Sequence, residues 1–141
     1  MRSIHVLDAN ALTAFIEDEE GADFVENLFH STKNKEIVIL MHKINLIEVL
    51  YHVFRKDGMN EAMKVFHDIK LFPINIINDI TYEIMFEASR LKANYKLSLA
   101  DSIGLATSII YKGFFVTSDY HELEIIEKKE KLNILWFRPK K

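Results

Sequence analysis

The chain of 141 residues contains no cysteine. Disulfides, zinc–thiolate centres, iron–sulfur clusters and thiol nucleophiles are excluded together, and the composition fits a reducing compartment. Glycine and proline are scarce, at four and two residues, which argues against long loops and flexible linkers. The isolated glycines form neither a P-loop nor a dinucleotide fingerprint, and there is no G-x-S-x-G elbow or H-E-x-x-H pair. No apolar run approaches the length of a membrane span. The opening stretch "MRSIHVLDAN" is broken by His5 and Asp8 and has no signal-peptide core. The expectation is a cytoplasmic chain without membrane contact. An excess of basic charge is also missing. The formal net charge is −3, which counts against a nucleic-acid ligand. Once the four acids singled out below are set aside, the remainder is near neutral, leaving room for a local basic rim.

What is present is an alternation of short β-rich runs with helical periodicity. Strands are expected at Ser3–Leu7, Glu36–Leu40, Leu71–Ile77, Gly113–Asp119 and Leu132–Phe137, with Pro73 marking an edge or a strand start. Helices are expected near Ala11 after an Asn10 cap, at Gly21–Phe29, at Asn45–Phe54 ending at Gly58, and at Asn60–Ile69. Others follow from an Asn78 cap to about Ala93, at Leu99–Tyr111 after Ser98, and at Glu122–Lys129. The helix starting at Leu99 is apolar almost all round and should be buried on more than one side. This order implies one α/β domain over residues 1–141, a three-layer α/β/α sandwich around a mainly parallel sheet.

Parallel sheets place ligand sites beyond the carboxyl ends of their strands. Asp8 follows "IHVL" and Asp119 follows "FFVTS". Glu48 and Asp101 fall in expected first helical turns, which can point to the same sheet edge. Four carboxylates brought together repel one another, and a divalent cation removes that cost. Mg²⁺ and Mn²⁺ prefer carboxylate and water ligands and can activate water against a phosphodiester. Each acid also fits a helix cap: "NLIE" and "SLAD" read as capping-box variants, and Asp8 and Asp119 precede helical turns.

The motifs carry a resemblance. "VLDANALTAF" (Val6–Phe15), "INLIEVLY" (Ile44–Tyr51), "YKLSLADSIGLATSI" (Tyr95–Ile109) and "GFFVTSD" (Gly113–Asp119) resemble, in order and over nearly the whole chain, the motifs of PIN domains. They are most similar to those of the small VapC-type toxin ribonucleases of type II toxin–antitoxin systems. The resemblance implies that Asp8, Glu48, Asp101 and Asp119 are catalytic metal ligands for Mg²⁺ or Mn²⁺, with Asn10 and Thr117 in support. It also implies metal-dependent endoribonuclease activity on RNA, a homodimer, and a cognate antitoxin that holds a toxin inactive. A non-catalytic PIN-like RNA- or protein-binding module, and a metal-dependent nuclease of RNA processing, are the competing readings. Some relatives carry one more acid after the Asp119 position. Glu122 is the near candidate here, and its expected place is a helix surface. Arg90, Lys92 and Lys96 are candidates for phosphate contact or ordinary surface, and His52 for the cleft border. Phe15, Tyr51, Tyr120 and Trp136 lie outside the apolar stripes and are candidates for a dimer contact or base stacking.

Overall fold

In the computed structural model, which describes residues 2–34 and 36–141, five strands form one sheet in the order β3-β2-β1-β4-β5. The strands are β1 (Ser3–Leu7), β2 (Ile37–His42), β3 (Asn75–Ile77), β4 (Phe114–Thr117) and β5 (Ile134–Trp136). All four pairings are parallel, as strand–helix–strand order requires. The helices are α1 (Ala9–Ile16), α2 (Ala22–Ser31), α3 (Lys43–Asp57), α4 (Met59–Ile69), α5 (Tyr82–Asn94), α6 (Leu99–Ile110) and α7 (Tyr120–Glu130), with a 3₁₀ turn at Thr32–Asn34.

Alternate strand residues face opposite sides, and the two cores follow that alternation. Leu7, Ile39, Met41 and Val116 pack with α1–α4. Val6, Leu40 and Phe115 pack with α5–α7. The α/β/α sandwich is therefore the observed architecture. Helix α6 is buried continuously from Ser102 to Ser108, as its all-round apolar character demands. Asn45, fully buried at the start of α3, donates from Nδ2 to the carbonyl of Ala100 at 3.1 Å. A Cβ on Gly104 would lie 2.8 Å from Asn45 Oδ1. This close approach locks α3 to α6, and so fixes the spacing between Glu48 and Asp101.

The local signals differ from expectation at several ends. Asn10 is not the cap of α1: Asp8 is, its Oδ1 accepting from the Ala11 N–H at 2.8 Å, while Asn10 is exposed within the first turn. Asn45 does not start α3 either. His42 caps it through Nδ1, which accepts from Ile44 N–H, while Nε2 donates to the Asp79 carbonyl. Glu48 consequently lies beyond the first turn, and the "NLIE" capping reading falls. Thr81, not Asn78, caps α5. The expected strand Leu71–Ile77 pairs only over Asn75–Ile77, because Pro73 has no N–H for a ladder and the chain before it turns. Phe72 there packs against Phe15 and Phe29, which places Phe15 in the core.

Candidate metal centre

The strand order reverses between β1 and β4, since their outgoing connections run to opposite sides of the sheet. A crevice opens beyond the carboxyl ends of such a strand pair. The register pairs Leu7 with Val116. Asp8, one residue past β1, therefore lies beside Thr117 and close to Asp119. The Asp8 N–H donates to the Val116 carbonyl at 3.1 Å. The buried Thr117 hydroxyl donates to Asp8 Oδ2 at 2.5 Å and accepts from the Asp119 N–H at 3.1 Å. One hydroxyl thus ties both strand ends.

Asp101 and Asp119 come together, and the third member of the group is Glu122. One carboxylate oxygen from each lies within 4.8 Å of the others. Asp101 is delivered by the first turn of α6, whose cap Ser98 accepts from the Asp101 N–H. Asp119 caps α7 and accepts from the Glu122 N–H at 3.1 Å. The expectation that Glu122 is a surface acid is corrected here. Helix α7 begins at Tyr120, so Glu122 sits in its first turn and turns back into the crevice. The signal available in the sequence was the D-x-x-E spacing across a helix start.

Asp8 and Glu48 border this trio. Asp8 is buried with both oxygens hydrogen-bonded, and its neighbours by charge are Asp101 and Asp119. Glu48 is exposed at the rim and feels the charge of Asp101. Asn10 makes no side-chain hydrogen bond among the described residues. Thr117 contacts both Asp8 and the Asp119 N–H through its hydroxyl.

The electrostatics reflect crowding. Burial, opposed by the Thr117 and Ala11 hydrogen bonds, pushes the Asp8 carboxyl up to about 7. A hydrogen bond with Asp101, then burial and the charges of Asp101 and Asp119, push Glu122 up to about 8. Glu122 Oε2 is buried and has no partner otherwise among the described residues. Partial burial and the Asp101 charge also raise Glu48. An all-carboxylate donor set with an orphaned oxygen and excess negative charge fits a hard divalent cation. The helix N-termini of α1, α6 and α7 oppose part of the repulsion.

Of the flanking cations, Arg90 pairs with Glu87 and Glu130. Lys92 donates to the Leu97 carbonyl and Lys96 is exposed. His52 pairs with Glu17 on the surface rather than with the acids.

Thr117→Val keeps the shape of the side chain and removes both hydrogen bonds. It is expected to cost about 2 kcal/mol near pH 8, where Asp8 is ionised, and less near pH 5. Urea denaturation at the two pH values measures the difference.

Together, the parallel sheet, its switch point and the carboxylate group beyond it define a three-layer α/β domain with an acid-lined crevice. The sequence pattern of the PIN domain matches residues 5–129, and the chain belongs to the PIN domain family. No curated protein matches it at the sequence level. Among solved structures, it is similar to a chain of the DNA-bound VapBC of Salmonella typhimurium, with TM-score 0.71 and 15% identity over 97% of this chain and 99% of that one. A chain of Rickettsia felis VapBC2, bound to a promoter DNA fragment, gives 0.70 and 20% over 94% and 97%. Mycobacterium tuberculosis VapC20, described as a sarcin–ricin loop cleaving toxin, gives 0.60 and 16% over 80% and 87%.

Proposed function

We propose that this chain is a divalent-metal-dependent endoribonuclease and the toxin of a toxin–antitoxin pair. The observation that carries the chemistry is the convergence of Asp101, Asp119 and Glu122 within 4.8 Å, with Asp8 and Glu48 beside them. A bound Mg²⁺ or Mn²⁺ would supply electrophilic activation of water and of the phosphodiester. Asp101, Asp119 and Glu122 would hold it directly. Asp8 would act from beneath, oriented by Thr117, and Glu48 would close the rim. Among the described residues no side chain is placed as an independent general base; the carboxylates serve to hold and orient.

Similar structures described as toxin–antitoxin complexes and as a loop-cleaving toxin support the biological reading, with RNA as substrate and the cytoplasm as the place of action. No helix among the described residues is long and apolar enough to cross a membrane. Ile47, Tyr51 and Phe54 form an exposed apolar stripe on α3, adjacent in sequence to Glu48. An antitoxin segment that covers the rim would bury it. Tyr82, Met85 and Phe86 expose a second patch on α5, which suits a second copy of the chain.

Hydrolysis by water leaves a 5′-phosphate and a 3′-hydroxyl. Incubation of cellular RNA with the protein and Mn²⁺, followed by end-group analysis, is expected to show those ends and to stop with EDTA. A 2′,3′-cyclic phosphate would mean attack by the RNA's own 2′-hydroxyl and would overturn the scheme.

A further inference from the structure

Two cavities flank the acidic trio, and they share no wall residue. One, of about 610 Å³, meets the trio at Asp119 and is bounded by Tyr120, His121, Arg138, Lys140 and Lys141. The other, of about 500 Å³, meets it at Glu122 and is bounded by Lys92, Tyr95 and Lys96. In a chain of net charge −3, cations thus gather on both flanks of the most acidic spot. The first cavity also has an aromatic wall residue, Tyr120, whose ring stacks on Trp136 with centroids 3.9 Å apart and planes at 12°. Its Arg138 is held in place by the Glu20 carbonyl and by Glu19.

The remaining cations are available to a ligand. Lys96 and Lys141 make no ion pair among the described residues. The Lys140–Glu124 pair is solvent-exposed, so a phosphate can displace it at little cost. Cationic walls with an aromatic platform suit a sugar–phosphate chain with unstacked bases. They offer a peptide neither a free strand edge nor an apolar pocket.

We propose that the two cavities form one track for single-stranded RNA, seating nucleotides on both sides of the scissile phosphate. Lys140 and Lys141 hold the backbone on the Asp119 side, Tyr120 over Trp136 receives a base there, and Lys96 holds the backbone on the Glu122 side. The assignment rests on the nuclease reading for the position of the scissile bond. A track open at both ends needs no free terminus, which suits cleavage at internal bonds.

The test is binding of a short fluorescein-labelled single-stranded RNA, followed by anisotropy in EDTA at low salt. Lys96→Glu is expected to raise Kd about tenfold and the pair Lys140→Glu with Lys141→Glu about a hundredfold. Each lysine lost should flatten the slope of log affinity against log salt by about 0.7. Saturable Mn²⁺ binding should persist and the far-ultraviolet dichroism should stay unchanged, showing that the fold and the acids are intact. An unchanged Kd in either variant, or no binding by the native chain, overturns the track. If native protein cuts RNA and the variants bind and cut it equally well, the track alone fails. If the variants bind as expected while native protein with Mn²⁺ cuts no RNA, the track stands and the nuclease reading fails.

Discussion

Asp101→Asn is expected to lower RNA cleavage by on the order of 10³ while making the metal-free protein more stable. The two effects have one origin. The Asp101 carboxylate acts on Asp8, Glu48 and Glu122, and in each case it makes ionisation harder. An amide of the same shape removes that repulsion and leaves the Ser98 cap on the Asp101 N–H untouched. Relief of like charge at a partly buried site should add about 1 kcal/mol, a rise in Tm of a few degrees. The same change removes a ligand and one unit of negative charge from the cation site. Thermal denaturation in EDTA, beside cleavage in Mn²⁺, measures both. A variant that loses stability in EDTA would show that Asp101 serves as a structural cap.

In EDTA, the stability contributed by Asp8 and Glu122 should fall progressively from about pH 4.5 to about pH 8, and Mn²⁺ should reverse the fall at the upper end of that range. Asp8 stands at about 7 against its ordinary 3.8, and Glu122 at about 8 against 4.5. The folded state therefore holds these protons more tightly than the unfolded chain does. That stabilisation is complete below the ordinary values and is lost as pH rises through about 7 and then about 8. His42 and His5 act in the opposite sense. Burial lowers both below 6.5, so their contribution is present above that value and is lost as pH falls through the lowered values. His42 is the more sensitive, because its Nδ1 must stay unprotonated to cap α3. A maximum below about pH 6.5 results, since above it the histidines add nothing further while the acids still lose stability. Chemical denaturation across this range, with and without Mn²⁺, measures the two limbs. A metal-free stability that rises steadily from about pH 7 to pH 8.5 would contradict the crowding of the acids.

Asp8 and Asp119 were legible because each follows a short apolar strand, and acids just past parallel strands gather at one sheet edge. Asp101 was legible because an acid at the mouth of an almost wholly apolar helix needs compensation. What periodicity could not show is how the strands lie. The bond from Thr117 to Asp8 joins residues 109 positions apart, and it exists only because β4 settles beside β1. Glu122 was misplaced because α7 starts at Tyr120, two residues earlier than expected. Tyr120 and His121 carry no apolar period, while Asp119 closes the helix as its cap. Asn45 looked like a cap because asparagine favours that position, yet its side chain is consumed by the contact with α6. The apparent choice between cap and ligand also dissolves. Asp8 caps α1 with one oxygen, and Asp119 caps α7 with one of its own while standing in the trio. Capping aims these carboxylates at the crevice.

The most direct measurement is a calorimetric titration of Mn²⁺ into the metal-stripped native protein near pH 7.5, repeated in two buffers of different ionisation enthalpy and with Asp101→Asn. The account predicts saturable binding by the native chain with release of protons, because a bound cation displaces those held by Asp8 and Glu122. It predicts no such binding by the folded variant. Equal binding by both proteins, or none by the native chain, would contradict the assignment of Asp101, Asp119 and Glu122 as the metal centre.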